Sequence, residues 1–142
     1  MANPAARELY RDSYITVTLE RDGLLLRLVR SPTRFADLAA VRESFGGVIA
    51  TFDRVGRRGR TMVFDTRAPV GRNDPGFEEV MAELRPRIDH GFARIGVLLR
   101  TAAGALQLRR WVSADGIERI VATGEDELFA LLFPPSTPGS ER

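Results

Sequence analysis

The chain contains no cysteine and no lysine, and it has a single histidine, His90. Without cysteine there is no disulfide framework, no thiol nucleophile and no thiolate metal site. One imidazole excludes any centre that needs two. No apolar run approaches the roughly 20 residues that a membrane-spanning helix needs. The opening Met1-Ala2-Asn3-Pro4-Ala5-Ala6-Arg7-Glu8 lacks the apolar core of a signal peptide. These absences predict a cytoplasmic protein with no membrane insertion. With lysine missing, all 21 basic residues are arginine, and a net charge of only +2 carries the pI to about 9.9. Guanidinium stays protonated into strong alkali, so the high pI is weak evidence for a nucleic-acid partner, and none is expected.

What is present is ordinary for one globular domain: 142 residues, 44% hydrophobic and 28% charged. Residues 1–12 are polar and aperiodic and read as a flexible segment. Tyr14 to Glu20 and Leu24 to Arg30 are β-branched and leucine-rich runs joined by Arg21-Asp22-Gly23, a hairpin signal. Ser31-Pro32-Thr33 opens a helical pattern carried by Phe35, Leu38, Val41 and Phe45. Gly46-Gly47 interrupts it before Val48, Ile49 and Phe52, which leaves one bent helix or two short ones. Arg54, Arg57, Arg58 and Arg60 mark a basic loop.

Thr61 to Thr66 is a short apolar run ending near Asp65, the pattern of a strand covered on both faces. A turn-rich loop, Arg67 to Asp74, leads into an amphipathic helix with Phe77, Val80, Met81, Leu84 and Ile88 on one face. Asp74 reads as its N-cap, Pro75 as its first residue and His90-Gly91 as its close. Pro86 predicts a kink or an early end. Arg94 to Arg100 is a second buried strand, and Thr101 to Val112 suits a helix. Ile117 to Ala122 reads as a strand and Leu128 to Leu132 as a final helix capped by Thr123. Residues 134–142 read as a disordered tail. The expected fold class is α/β, a mixed or mostly parallel sheet of about five strands in the order ββαβαβαβα, within a single domain over residues 13–133.

This order, with the strand-loop-helix at Thr61 to Leu84, resembles the STAS domain of anti-sigma-factor antagonists and sulfate transporters over roughly Tyr14 to Phe133. The loop Gly71-Arg72-Asn73-Asp74-Pro75 is similar to one in a bacterial branch of STAS-like proteins. In antagonists a serine or threonine at this helix start is phosphorylated, within an Asp-Ser-Ser/Thr-Gly-like motif. Here Asp74 and Gly76 match the aspartate and glycine, but Pro75 stands where the hydroxyl belongs. The resemblance therefore implies a non-enzymatic, cofactor-free regulatory domain that binds a protein partner or a second copy of itself. Arg67, Arg72, Asn73, Asp74 and Phe77 are the expected contact residues. The alternative is a small-ligand carrier of STAS or CRAL-TRIO-like shape, with an apolar cavity lined by Phe35, Phe45 and Phe52.

Other candidates have plainer readings. Arg67, Arg72 and Arg100 could gather at one sheet edge as an anion contact. Asp65 with Asp74 could form an acid pair or hold Mg²⁺, although a strand-end aspartate and an N-cap explain both. The arginine loop reads as solvated rather than as a nucleic-acid contact, since no aromatics are interleaved for stacking. His90 reads as a helix-terminal residue rather than a base. Trp111 reads as core before partner anchor.

Overall fold

The structure, a computed structural model, describes residues 6–68, 75–100, 110–112 and 115–134. Within them lie strands β1 (Arg7–Arg11), β2 (Ile15–Glu20), β3 (Leu25–Arg30), β4 (Thr61–Asp65), β5 (Arg94–Leu98), β6 (Arg110–Val112) and β7 (Glu118–Ala122). The helices are α1 (Leu38–Val55), α2 (Pro75–Asp89) and α3 (Glu125–Leu132). The strands form one seven-stranded sheet in the order β1-β2-β3-β4-β5-β7-β6. Neighbours from β3 through β4 and β5 to β7 are parallel, while β1, β2 and β6 join antiparallel at the two sides.

The α/β class and the mixed sheet are as the sequence predicts, but the strand count and order differ. The segment expected to be loose supplies β1, an edge strand paired with β2 from Arg7↔Leu19 to Arg11↔Thr16. Backbone pairing draws in a sequence that alternates charge more than hydrophobicity. The helix expected to end at Val112 is also corrected. Arg110–Val112 instead pairs with Glu118–Ile120 as an antiparallel strand, and Gly116 just before β7 takes φ 77°. Residues 101–109 of that expectation lie outside the described residues, as do residues 135–142 of the expected tail.

α1 and α3 start otherwise than expected, while α2 keeps its expected ends. α1 begins at Asp37, whose carboxylate accepts the Ala40 N–H at 2.8 Å, and Pro32 lies in the preceding loop. It runs unbroken through Gly46-Gly47. α2 opens at Pro75 and closes at Gly91 with φ 85°, both as expected, and Pro86 sits inside it without ending it. α3 is capped by Gly124 with no side-chain bond, so Thr123 is not its cap. The β2–β3 hairpin is as predicted, with Arg21 and Asp22 as well as Gly23 at positive φ.

Alternation along the strands divides the interior in two. Leu26, Leu28, Met62 and Ile95 face α1 and α2, joining Phe45, Phe52, Met81, Leu84 and Ile88. Leu25, Val63, Leu98, Ile120 and Ala122 face α3, meeting Leu128 and Leu132. The neighbours Leu25/Leu26 and Met62/Val63 thus serve opposite layers, as a period of two requires. The central strands are therefore covered on both faces, which explains their continuous apolar runs.

Candidate functional site

Parallel strands β3, β4, β5 and β7 end along one side of the sheet, and the loop after β4 leaves from there. Asp65, the last residue of β4, is almost fully buried. Its carboxylate accepts from Arg67 twice, from Nε at 3.0 Å and from Nη2 at 2.8 Å, and also from the Arg67 amide. Burial pushes the Asp65 pKa up, but the Arg67 hydrogen bonds outweigh it and hold the carboxyl below its ordinary value. Arg100 donates to the Arg67 carbonyl at 2.9 Å and to the Ala68 carbonyl at 2.7 Å. Thr66 turns both its amide and its hydroxyl onto the Leu98 carbonyl. The first three residues of the loop are thus fixed to the ends of β4 and β5.

An ion-pair chain extends this corner along the α3 face. Arg27 of β3 bonds Glu20 at 2.9 Å and Glu125 at 2.9 Å, and Glu125 lies 4.0 Å from Arg67. Glu125 stands in the first turn of α3, where the helix dipole favours a negative charge. Sequence reading missed Arg27 and Glu125. The available signal was an arginine inside the apolar run Leu24-Leu25-Leu26-Arg27-Leu28, a charge that needs a partner.

The structure brings Arg67 and Arg100 together at one sheet edge. One guanidinium is committed to a carboxylate and the other to two carbonyls. Arg72, Asn73 and Asp74 lie outside the described residues, and so does the Asp65–Asp74 pair as a unit. Asp65 itself is occupied by Arg67. Phe77 is only partly exposed and packs against the α1–α2 core, so it supports α2 as well as facing outward. Phe35, Phe45 and Phe52 are 5%, 1% and 0% exposed and lie inside the core, where the Phe35 and Phe45 rings stand 6.0 Å apart. They line neither of the two clefts described below.

The arginine loop divides. Arg54 and Arg58 are exposed, but Arg57 is buried and donates to the Ile88 and His90 carbonyls, both at 2.9 Å. Arg60 spans to the Gly23, Val55 and Gly56 carbonyls. Half of this cluster therefore ties α1, α2 and the hairpin together rather than facing solvent. His90 is exposed just past α2. The carboxylate of its neighbour Asp89 accepts from Arg119 Nε at 2.7 Å. Trp111 pairs with Arg119 in the β6–β7 ladder.

Two clefts lie near the α2–β5–β7 junction. The larger, about 570 Å³, opens where β5 and β7 begin and is lined by residues including His90, Phe92, Arg94, Ile117 and Glu118. Arg94 there donates to the Leu132 carbonyl. The smaller, about 250 Å³, lies between α2 and the sheet, lined by Phe64, Thr66, Ile95, Val97 and Leu99 with Arg85, Asp89 and Arg119. Burial raises the Asp89 pKa, and the attraction of Arg119 and Arg85 offsets this only in part. Among the described residues no group of three His, Cys, Asp or Glu side chains could hold a metal ion. No helix among them is long and apolar enough to cross a membrane.

No protein-family model, curated protein or solved structure matches the chain.

Proposed function

We propose that the chain is a non-enzymatic regulatory domain that binds a protein partner through the β4–α2 connection and the exposed face of α2, as its resemblance to anti-sigma-factor antagonists implies. The observation that carries this reading is the bracing of the loop root. Asp65, Arg67, Thr66 and Arg100 spend their polar groups on one another and on backbone, which fixes where the loop starts. A recognition loop needs such an anchor, because ordering a free loop on binding costs affinity. Glu78 and Glu79 on the first turns of α2 are exposed and give the surface a charged rim.

The test is affinity capture from the native host's lysate with wild type, Arg72→Glu and a Glu78→Arg/Glu79→Arg pair, each checked for an unchanged melting temperature. A protein retained by wild type and lost by either charge variant is the expected outcome. Equal retention by all three, or nothing retained by any, overturns the reading. Sedimentation of the purified chain decides whether the partner is a second copy.

A further inference from the structure

We infer that the cleft between α2 and strands β4 and β5 binds a small amphipathic monocarboxylate, with its head group on Arg85 and its apolar tail along Phe64, Ile95, Val97 and Leu99. The alternation of the strands builds the tail site. Residues two apart on β4 and β5 point to one face, so Phe64 and Thr66 stand beside Ile95, Val97 and Leu99. The cleft holds about 250 Å³. That is below the size of a drug-like pocket and suits a short chain.

Charge chooses the head group. Three ionisable side chains line the cleft. Asp89 and Arg119 are paired at 2.7 Å, and Arg119 also holds Asp115 at 2.8 Å. Both members of the first pair are buried, Arg119 at 1% exposure and Asp89 at 4%. Arg85 differs from them. It makes no hydrogen bond or ion pair among the described residues and feels Asp89 only at longer range. A partly exposed guanidinium lining an apolar slot is complementary to a carboxylate, which it can grip with two parallel N–H donors. The larger cleft lacks this feature, since its Arg94 already bonds a carbonyl.

The inference is independent of the protein-partner reading, and failed capture leaves it standing. It gives the carrier alternative a place other than the filled interior around Phe45. Titration calorimetry with octanoate and with octan-1-ol separates head group from tail. Octanoate should bind at least about tenfold more tightly, the value of one charge-assisted contact. Arg85→Gln should erase that preference while leaving octan-1-ol binding unchanged, and Val97→Phe should weaken both probes by filling the slot. Arg85 is partly exposed and makes no hydrogen bond or ion pair among the described residues, so its variant tests binding without removing a bond seen there. No binding of octanoate, equal affinity for the two probes, or a preference that survives Arg85→Gln overturns the inference, whether or not Val97→Phe folds.

Discussion

Gly46 and Gly47 are adjacent in α1, yet only one of them is required by its surroundings. A Cβ on Gly47 would stand 2.5 Å from the end of the Tyr10 ring, whereas one on Gly46 would meet nothing within 4 Å. Tyr10 cannot simply swing aside, because its hydroxyl donates to Asp12 at 2.6 Å, and the same carboxylate accepts from Ser44 Oγ of α1 at 2.7 Å. Gly47→Ala should therefore cost about 1–3 kcal/mol through overpacking. Gly46→Ala should add about 0.5–1 kcal/mol, since alanine removes the entropy that glycine loses in a helix. Denaturant melts of both variants check the signs. In a Tyr10→Ala background the Gly47→Ala penalty should vanish, and its persistence there would show that the ring is not the obstacle. The glycine pair is visible in the sequence as a weak point. That one of them makes room for a tyrosine 37 positions away is a tertiary fact with no local signal.

At the scale of elements, α3 depends on a single glycine of the strand beneath it. Eight residues are too few to form a stable helix alone, so α3 exists because Leu128 and Leu132 pack on the sheet. They approach so closely that a Cβ on Gly96 of β5 would lie 2.7 Å from Leu132 and 3.0 Å from Leu128. Gly96→Ala should lift this helix, costing about 1–3 kcal/mol. Amide exchange should then quicken across Glu125–Leu132 and stay unchanged in α1, and uniform quickening in both would refute the local account. Most elements of this kind were legible because burial writes a pattern: Met62, Val63 and Phe64 form a continuous apolar run since helices cover both faces of β4, and α2 shows its stripe through Val80, Met81, Leu84 and Ile88. β1 and β6 were not. Arg7-Glu8-Leu9-Tyr10-Arg11 joins the sheet mainly through backbone pairing at an edge, where charges suppress further association. At Arg110–Val112 the helical spacing of Leu108, Trp111 and Val112 misled, because pairing with β7 overrode it. The candidate site was half legible. The place, the carboxyl ends of the strands, followed from topology, but the commitment of Arg67 and Arg100 to structural bonds depends on partners 2 to 33 positions away.

Across the whole molecule, replacing every lysine by arginine leaves the ion pairs intact far into alkali, and this makes one tyrosine readable in the pH profile. On the acid side, Asp12, Glu20 and Asp65 have lowered pKa values: burial raises each, and hydrogen bonds from Ser44 and Tyr10, from Arg27, and from Arg67 outweigh it. Groups lowered in the fold add stability that is complete above their unfolded values near 4 and is lost as pH falls through the folded ones. Asp89 acts in the opposite sense, since burial raises it, but it is one carboxyl against three. Stability should thus decline below about pH 5. On the alkaline side Tyr10 is pushed up to about 12, first by burial and then by its bond to the Asp12 carboxylate, which an ionised phenol would repel. A raised group contributes stability that is full below its unfolded value near 10 and disappears as pH rises through its folded value. Lysine, which would ordinarily titrate in this window, is absent, and the chain has only two tyrosines. The stability difference between wild type and Tyr10→Phe should therefore hold steady from pH 7 to about 9 and shrink between about 10 and 12. Urea melts across that range measure it directly. A difference that stays constant to pH 12 would mean that the Tyr10–Asp12 bond, and with it the Asp12 link to Ser44 of α1, does not form in solution.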